Sequence, residues 1–467
     1  MYMTDRPRAD AAAAGQGASL RRNGVRSRPR GVRSRVGTPV GSTVVLLGLV
    51  SLLTDVSSEA VSAVLPLYLT AVLGLSPLAF GFVDGLYQGV SAVVRILGGW
   101  LSDRADRPKW VAFAGYGLSA VTKVALLAAQ GLGAVTAVIT VDRLGKGLRT
   151  APRDALIAAS TPTATLGRAF GMHRALDTTG AAIGPLLAFS ILWLVPGDYS
   201  AVFVASLAAA VMGLAVLLLL VPDLRPRRDR MTTAATATSA AAAAPAAAPA
   251  AAPTPPSLRL LRQGRFGRLM LAAAVLGVLT ISDGFLYLSL ARRDDLAATW
   301  FPLLFVGTNV AYLALAVPLG RLSDRWGRAR VLVGGHLLLV GAYLCAAGPV
   351  GGLPATLACL FLLGAFYAAT DGVLAAFTAT LVPPEVRASG IATTQTVVAA
   401  ARFASSVGFG SLWLWLGRGP AVYAVAAALV VAVPLAWWLL RGVERPTPGL
   451  ASAAMRPRDV GDTGAGA

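Results

Sequence analysis

Between residues 41 and 442 the chain is a succession of apolar runs separated by short polar connections. Each run is about 20 residues or longer, the length a bilayer crossing requires. The runs centre near Leu53, Ser91, Val121, Val138, Leu186, Val211, Leu279, Tyr312, Leu338, Phe366, Phe403 and Val430. They predict twelve membrane-spanning helices and an all-α integral membrane protein. The polar positions are ordered too. After the second, fourth, sixth, eighth and tenth runs come Arg104/Arg107/Lys109, Arg149/Arg153, Arg225/Arg227/Arg228/Arg230, Arg325/Arg328/Arg330 and Arg387. Most intervening loops (LGLSP, AQGLGA, GPVGGLP) are uncharged, and ARRDD at 291–295 nearly cancels its own charge. Cationic loops stay on the cytoplasmic side, so both termini are expected there.

The remaining segments punctuate this pattern. Residues 1–40 are Arg-rich and lack the apolar core of a signal peptide, which predicts a disordered cytoplasmic tail. Residues 231–257 are an Ala/Pro tract, a flexible spacer by composition. The expected organisation is a tail (1–40), a six-helix bundle (41–222), a linker (223–266), a second six-helix bundle (267–442) and a cytoplasmic tail (443–467). The two bundles echo each other. GGWLSDRADRPKW at 98–110 returns as PLGRLSDRWGRAR at 318–330, Asp55 is echoed by Asp283, and Asp142 by Asp371. Such a repeat predicts two bundles related by an axis along the membrane normal, with a cavity between them and alternating access to it.

Composition agrees with this reading. Of 467 residues, 56% are hydrophobic and only 13% charged, the profile of a polytopic membrane protein rather than a soluble domain. A net charge of +19 suggests no nucleic-acid partner here, because the arginines sit between apolar runs and no basic-aromatic module accompanies them. Two cysteines, Cys345 and Cys359, and two histidines, His173 and His336, predict no disulfide framework, metal cluster or cofactor. H-E-x-x-H, G-x-S-x-G and Walker-type patterns are missing from the sequence, so an enzyme is not expected.

Charges inside the runs are the candidate chemistry. A charge at mid-span costs about 2.5–3.5 kcal/mol on insertion scales, so each must pair, face water or be neutral. Asp55 and Glu59 lie four apart on one face of the first helix. This pair of like charges is the expected proton and substrate site. Asp84, Asp142, Asp177, Asp283 and Asp371 add five carboxylates, opposed by Arg95, Lys123, Arg143, Arg174 and Arg402. A buried Asp–Arg lock is the competing reading for such groups. The densest stretch is Val141–Ala158, where Asp142, Lys146, Arg149 and Arg153 share one helix face and Gly145 and Gly147 allow a neighbour to approach. His173 and Asp177, four apart, form either a proton relay or a satisfied bundle histidine with its neighbour. His336 is read as packing. Arg402 pairs with Asp283 or Asp371, or meets an anionic substrate. Tyr68, Tyr87, Tyr116, Tyr287 and Tyr312 are candidate cavity residues, and Trp413, Trp415, Trp437 and Trp438 a candidate interfacial belt.

The chain resembles a major facilitator superfamily transporter over about residues 41–442. The loop signature G-x-L-[SA]-D-R-x-G-R is met by Gly320, Leu322, Ser323, Asp324, Arg325, Gly327 and Arg328, and by Gly99, Leu101, Ser102, Asp103, Arg104 and Arg107, with Asp106 where the family has glycine. The resemblance implies a conformational latch at Asp103 and Asp324. A carboxylate at a helix N-terminus, worth roughly 0.3–1 kcal/mol, is the physical reading of that role. Arg143 and Gly147 meet the family's R-x-x-x-G, which implies a part in proton transfer. Gly180, Gly184 and Pro185 meet the exporters' G-x-x-x-G-P, a close-packing and bending pattern. TDVSSE at 54–59, DRLGKGLRTAPRDALIA at 142–158 and FGMHRALDTTGAAIGP at 170–185 resemble a bacterial subgroup that includes drug- and nickel-resistance permeases. The implied protein is a monomeric proton-coupled exporter of drugs or metal cations in a bacterial inner membrane, with lipid, protons and a small-molecule substrate as its partners. Symport of an organic anion or sugar, and sensing without flux, are the alternatives.

Overall fold

The computed structural model describes residues 41–162, 165–224, 264–383 and 387–443. The two tails, most of the expected linker, Arg225/Arg227/Arg228/Arg230 and the side chains of Arg95, Asp103 and Arg387 lie outside the described residues. The first half comprises α1 (Ser42–Leu67), α2 (Pro77–Ala105), α3 (Pro108–Ala128), α4 (Gly131–Ala159), α5 (Leu166–Leu194) and α6 (Tyr199–Leu219). The second comprises α7 (Gly264–Val278), α8 (Asp283–Arg293), α9 (Pro302–Trp326), α10 (Arg328–Ala347), α11 (Leu353–Leu381), α12 (Arg387–Leu416) and α13 (Arg418–Leu440). By length and composition ten helical spans among the described residues could cross a membrane. The two other long helices are α2 and α4, each 29 residues and each carrying several of the chain's intramembrane charges.

Local sequence sets the boundaries. Pro77, Pro108 and Pro302 open α2, α3 and α9, where a missing N–H costs nothing, and Ser76 caps α2 by accepting from the Ala79 amide. Asp106 holds a left-handed conformation (φ 49°) between α2 and α3, so the tight turn forms despite the departure from glycine. Its counterpart, Gly327 (φ 98°), separates α9 from α10. In the ARRDD segment, Arg293 binds Asp294 at 2.8 Å, and the guanidinium holds that carboxyl well below the usual carboxylate range.

The two halves repeat each other in packing. In the first, α1 packs on α5 and α6, α2 on α4, and α3 on α4 and α6. In the second, α7 packs on α12 and α13, α9 on α11, and α10 on α11 and α13. With α7 and α8 taken together as one span, every contact of the first half has its counterpart in the second. Between halves, α2 lies along α12 and α5 along α9. At the first seam backbone meets backbone at two points, with the Phe403 ring against Gly85 and Phe82 between them: a Cβ on Gly81 would stand 2.3 Å from the Ser406 carbonyl, and one on Gly410 would stand 2.6 Å from the Pro77 carbonyl. At the second, the Thr299 hydroxyl donates to the Leu192 carbonyl (3.4 Å) beside a tilted and edge-to-face cluster of Phe189, Trp193 and Trp300. Both seams sit toward the start of α2 and the end of α5. The halves therefore meet at the face opposite the one where α1 begins and α13 ends.

The seventh span departs from expectation: it is two helices, α7 and α8, separated by residues 279–282. Membrane-depth backbone outside a helix needs other partners. Here Tyr343 of α10 supplies two, its hydroxyl accepting from the Ile281 amide (2.7 Å) and donating to the Leu279 carbonyl (2.9 Å). Ser405 of α12 donates to the Thr280 carbonyl (2.7 Å). The break leaves Asp283 as the first residue of α8, where a carboxylate suits the exposed amides.

Candidate translocation cavity and its charges

The charged face of α4 is spent on its neighbours in antiparallel register. Lys146 reaches Glu59 (3.6 Å), Arg149 reaches Asp55 (3.7 Å), and Arg153 reaches Ser51 (2.9 Å) and Asp177 (3.6 Å). Steps of three and four along α4 thus meet steps of four along α1 running the other way, as two antiparallel helices facing each other demand. The carboxyl groups of Asp55 and Asp177 also face each other within hydrogen-bonding reach. Asp177 accepts in addition from Ser51 (3.0 Å) and from Arg174 (3.2 Å), whose side chain is mostly exposed.

Asp55 and Glu59 thus each have their own cation on α4, and the carboxyl that faces Asp55 is on α5. His173 does not form a relay with Asp177: its ring is buried and Nε2 has no hydrogen-bond partner. One helical turn brings the two residues to the same face, but Asp177 turns to Ser51 and Arg153 instead.

Asp142 points the other way. Its carboxylate accepts from Lys123 of α3 (3.0 Å), from Thr122 (3.2 Å) and from both Nε (3.0 Å) and Nη2 of Arg143. All three charged groups are at most 6% exposed. The Arg143 guanidinium also lies over the Tyr87 ring, 3.8 Å from its centroid, and that of Arg149 over Tyr116 at 4.4 Å. Close packing makes these contacts possible. A Cβ on Gly145 would stand 2.7 Å from the Gly115 carbonyl, and one on Gly147 2.7 Å from Val94. On α5, a Cβ on Gly180 would stand 2.3 Å from the Leu52 carbonyl and one on Gly184 2.8 Å from the Ala60 amide, with Pro185 next to it inside the helix.

A cavity of about 220 Å³ opens beside this ladder at the seam of the halves. Its polar lining includes Glu59, Asp84, Tyr87, Lys146, Asp283 and Asn309. Asp84 accepts from Ser406 of α12 across the seam (2.7 Å), and Asp283 from Tyr367 of α11 (2.5 Å). Arg402 chooses Asp371 (3.8 Å) rather than Asp283, with Tyr367 between them. His336 donates from Nδ1 to the Leu332 carbonyl (2.8 Å) and packs on Phe366. It lines a smaller pocket with Asp371 and Arg402, so an acid is nearer than the sequence implied.

The remaining candidates fall outside the cavity. Asp324 lies in the last turn of α9, not at a helix N-terminus, and pairs with Arg328 at 3.3 Å. The N-terminal reading of the latch is therefore corrected: the carboxylate spans the turn by side-chain pairing. Arg104, Arg107 and Arg325 are exposed at the same face. Lys109 binds the Leu218 and Val221 carbonyls at the end of α6. Trp413 is not a belt residue; it is buried against Phe285 and Phe409, whereas Trp415 and Trp438 are exposed. Among the tyrosines, Tyr87 faces the cavity, Tyr287 is buried and bonds Thr308 (2.7 Å), and Tyr68 packs on Tyr199 and Phe203. The sequence marks Asp84 only as one of the intramembrane acids. Lys146 was placed on the charged face without a partner. Their signal was intramembrane charge alone, since the groups that hold them lie on other helices.

Together these features define a class: a polytopic α-helical membrane protein of two repeated bundles with a polar cavity at their seam. The chain belongs to the Major Facilitator Superfamily, whose family model matches residues 47–307 and 295–462. It is 30% identical over 381 residues to an uncharacterized MFS-type transporter of Methanocaldococcus jannaschii, covering 80% of this chain and 89% of that one. Two solved structures share the fold. The nucleoside transporter NupG superposes with a TM-score of 0.69 at 14% identity, covering 86% of this chain and 100% of that one. A bacterial homologue of the human lysosomal transporter Spinster, in an inward-facing and unoccupied conformation, gives 0.64 at 14%, covering 85% and 96%. The protein is accordingly a secondary membrane transporter of the MFS type and not an enzyme.

Proposed function

We propose that the protein is a proton-coupled exporter of small molecules, a monomer in a bacterial inner membrane with both termini cytoplasmic, working by alternating access. The observation that carries this reading is the continuity between ladder and cavity. Lys146 and Glu59 belong to both, and one turn further along α1 Asp55 faces Asp177 between two arginines. A proton shared by facing carboxyls changes the charge available to Arg149 and Arg153, and the ladder passes that change to the pair at the cavity wall. Proton uptake with the cavity open outward loosens the substrate, and proton release inward resets the site. A membrane potential supplies about 2.3 kcal/mol per charge per 100 mV, enough to drive uphill export.

The resemblance to drug- and nickel-resistance permeases gives two substrate branches. Among the described residues no group of three or more His, Cys, Asp or Glu is placed to hold a metal ion, which favours the organic branch. Uptake of an organic anion fits less well, because the cavity wall carries three carboxylates against one lysine and Arg402 is already paired.

The test follows the pH gradient of everted vesicles with a quenching dye while organic cations, neutral drugs, organic anions and divalent metals are added in turn. Substrate-triggered collapse of the gradient is expected, and its loss in Asp55→Asn with Glu59→Gln. Collapse that is unchanged in this double variant would sink the coupling role, and protein-dependent flux with no proton movement would sink proton coupling itself.

A further inference from the structure

The intramembrane carboxylates divide into two sets. Asp55, Glu59, Asp142, Asp177 and Asp371 each have a basic side chain within 4 Å. Asp84 and Asp283 have none among the described residues; Asp84 accepts from the Ser406 hydroxyl with that of Ser282 beside it, and Asp283 accepts from the Tyr367 hydroxyl. The basic group that acts on both, Arg402, is engaged with Asp371. Both unpaired acids line the same cavity, whose lone lysine is engaged with Glu59. A charge removed from water needs a counter-ion or a pathway to one.

A second observation points into the same space. The Tyr87 hydroxyl lines the cavity, is shielded from solvent and makes no well-formed hydrogen bond, the Ser62 hydroxyl on the same wall being its neighbour. A buried donor left unpaired is uncommon in native structures and calls for a ligand or a structural reason. Around these groups the wall is apolar and aromatic, with Phe80, Val83, Leu65 and Phe305. Aromatic faces with uncompensated carboxylates make a setting for a cation with apolar substituents.

We propose that the cavity binds an organic cation, an amine or quaternary ammonium with apolar or aromatic substituents, with its charged centre between Asp84 and Asp283 and, in ligands that carry one, a polar substituent on the Tyr87 hydroxyl. The inference rests on the exporter reading and names its substrate class. It also gives the two halves a common ligand, because Asp84 belongs to α2 and Asp283 to α8. A cation held by both ties substrate binding to the closeness of the halves, through carboxylates separate from the proton-linked ladder.

The test is equilibrium binding to the purified full-length chain in lipid nanodiscs. The probes are phenyltrimethylammonium, ethidium and tetraphenylphosphonium, with tert-butylbenzene as the uncharged isostere of the first. Saturable binding is expected, with no competition from tert-butylbenzene. Asp84→Asn and Asp283→Asn should each weaken it tenfold or more, and Tyr87→Phe should weaken ethidium, the probe whose amino groups can meet that hydroxyl, by a few-fold. Asp84→Glu, which keeps the charge, should retain most of it and so separates lost charge from a lost fold. Asp295→Asn, in the exposed loop after α8, should change nothing. No saturable binding of any of the three cations, or equal binding by monodisperse Asn variants, overturns the proposal. Gradient collapse in vesicles driven by neutral or anionic compounds alone would overturn the cation site and leave the exporter standing. Cation binding through Asp84 and Asp283 without any proton movement would do the reverse.

Discussion

Asp142 and Asp55 are both acids in the membrane-spanning part of the first half, yet their surroundings assign them different work. Asp142 neutralises two buried cations, Lys123 and Arg143. Removing one member of such a cluster strands the others, and breaking a buried pair this way typically costs about 3–5 kcal/mol. Asp142→Asn should therefore lower the melting temperature in detergent markedly, whereas Glu59→Gln, whose partner Lys146 is a third exposed and can reach the cavity, should lower it little. Thermal unfolding followed by intrinsic fluorescence checks both. An Asp142→Asn protein as stable as the parent would return that residue to the list of proton carriers.

At the scale of helices, the sequence displayed its spans and hid their partners. The apolar runs and the alternating cationic loops were legible because bilayer thickness and charge placement leave a direct mark on spacing. The charged face of α4 was legible as a face, by its steps of three and four. Its pairing with α1 was not, since antiparallel register between helices some 90 residues apart depends on packing that periodicity does not encode. The same holds for Trp413, whose position near a span end suggested a membrane interface although Phe285 and Phe409 enclose it. The interruption of the seventh span escaped detection because TISDG contains no proline. Only Ser282 and Asp283, a capping residue and an acid suited to a first turn, hinted at a new helix start. The tyrosine that fills the interruption sits on α10. Tyr343→Phe should leave the Ile281 amide and the Leu279 carbonyl without that partner, at about 1–3 kcal/mol for a buried group left unmade. Hydrogen exchange should then rise at residues 279–283 while the rest of the chain keeps its protection. Unchanged exchange there would mean another group supports the break.

For the molecule as a whole, the distribution of contacts between halves fixes which face is shut. Contacts gather at the start of α2, the end of α5, the start of α9 and the end of α12, which all lie at the face away from α1's beginning. Alternating access requires that this closure be reversible. Gly81→Leu places a side chain where the Ser406 carbonyl already stands, so it should wedge that face open. Spin labels at positions 74 and 417, in the loops flanking the seam, should then report a longer and narrower distance distribution than in the parent. Transport should fall at least tenfold while insertion is unaffected. A parental distance distribution would show that the halves do not close along this line.

That seam has a mechanical consequence of its own. Where α2 meets α12, backbone lies against backbone at Gly81 and Gly410, and the Phe403 ring fits over Gly85 beside Phe82. Little has to unlock for such surfaces to part, chiefly that ring and the Asp84–Ser406 hydrogen bond, so separation meets little friction. The contact serves as a smooth bearing, and turnover would be governed by whatever occupies the cavity rather than by the joint itself.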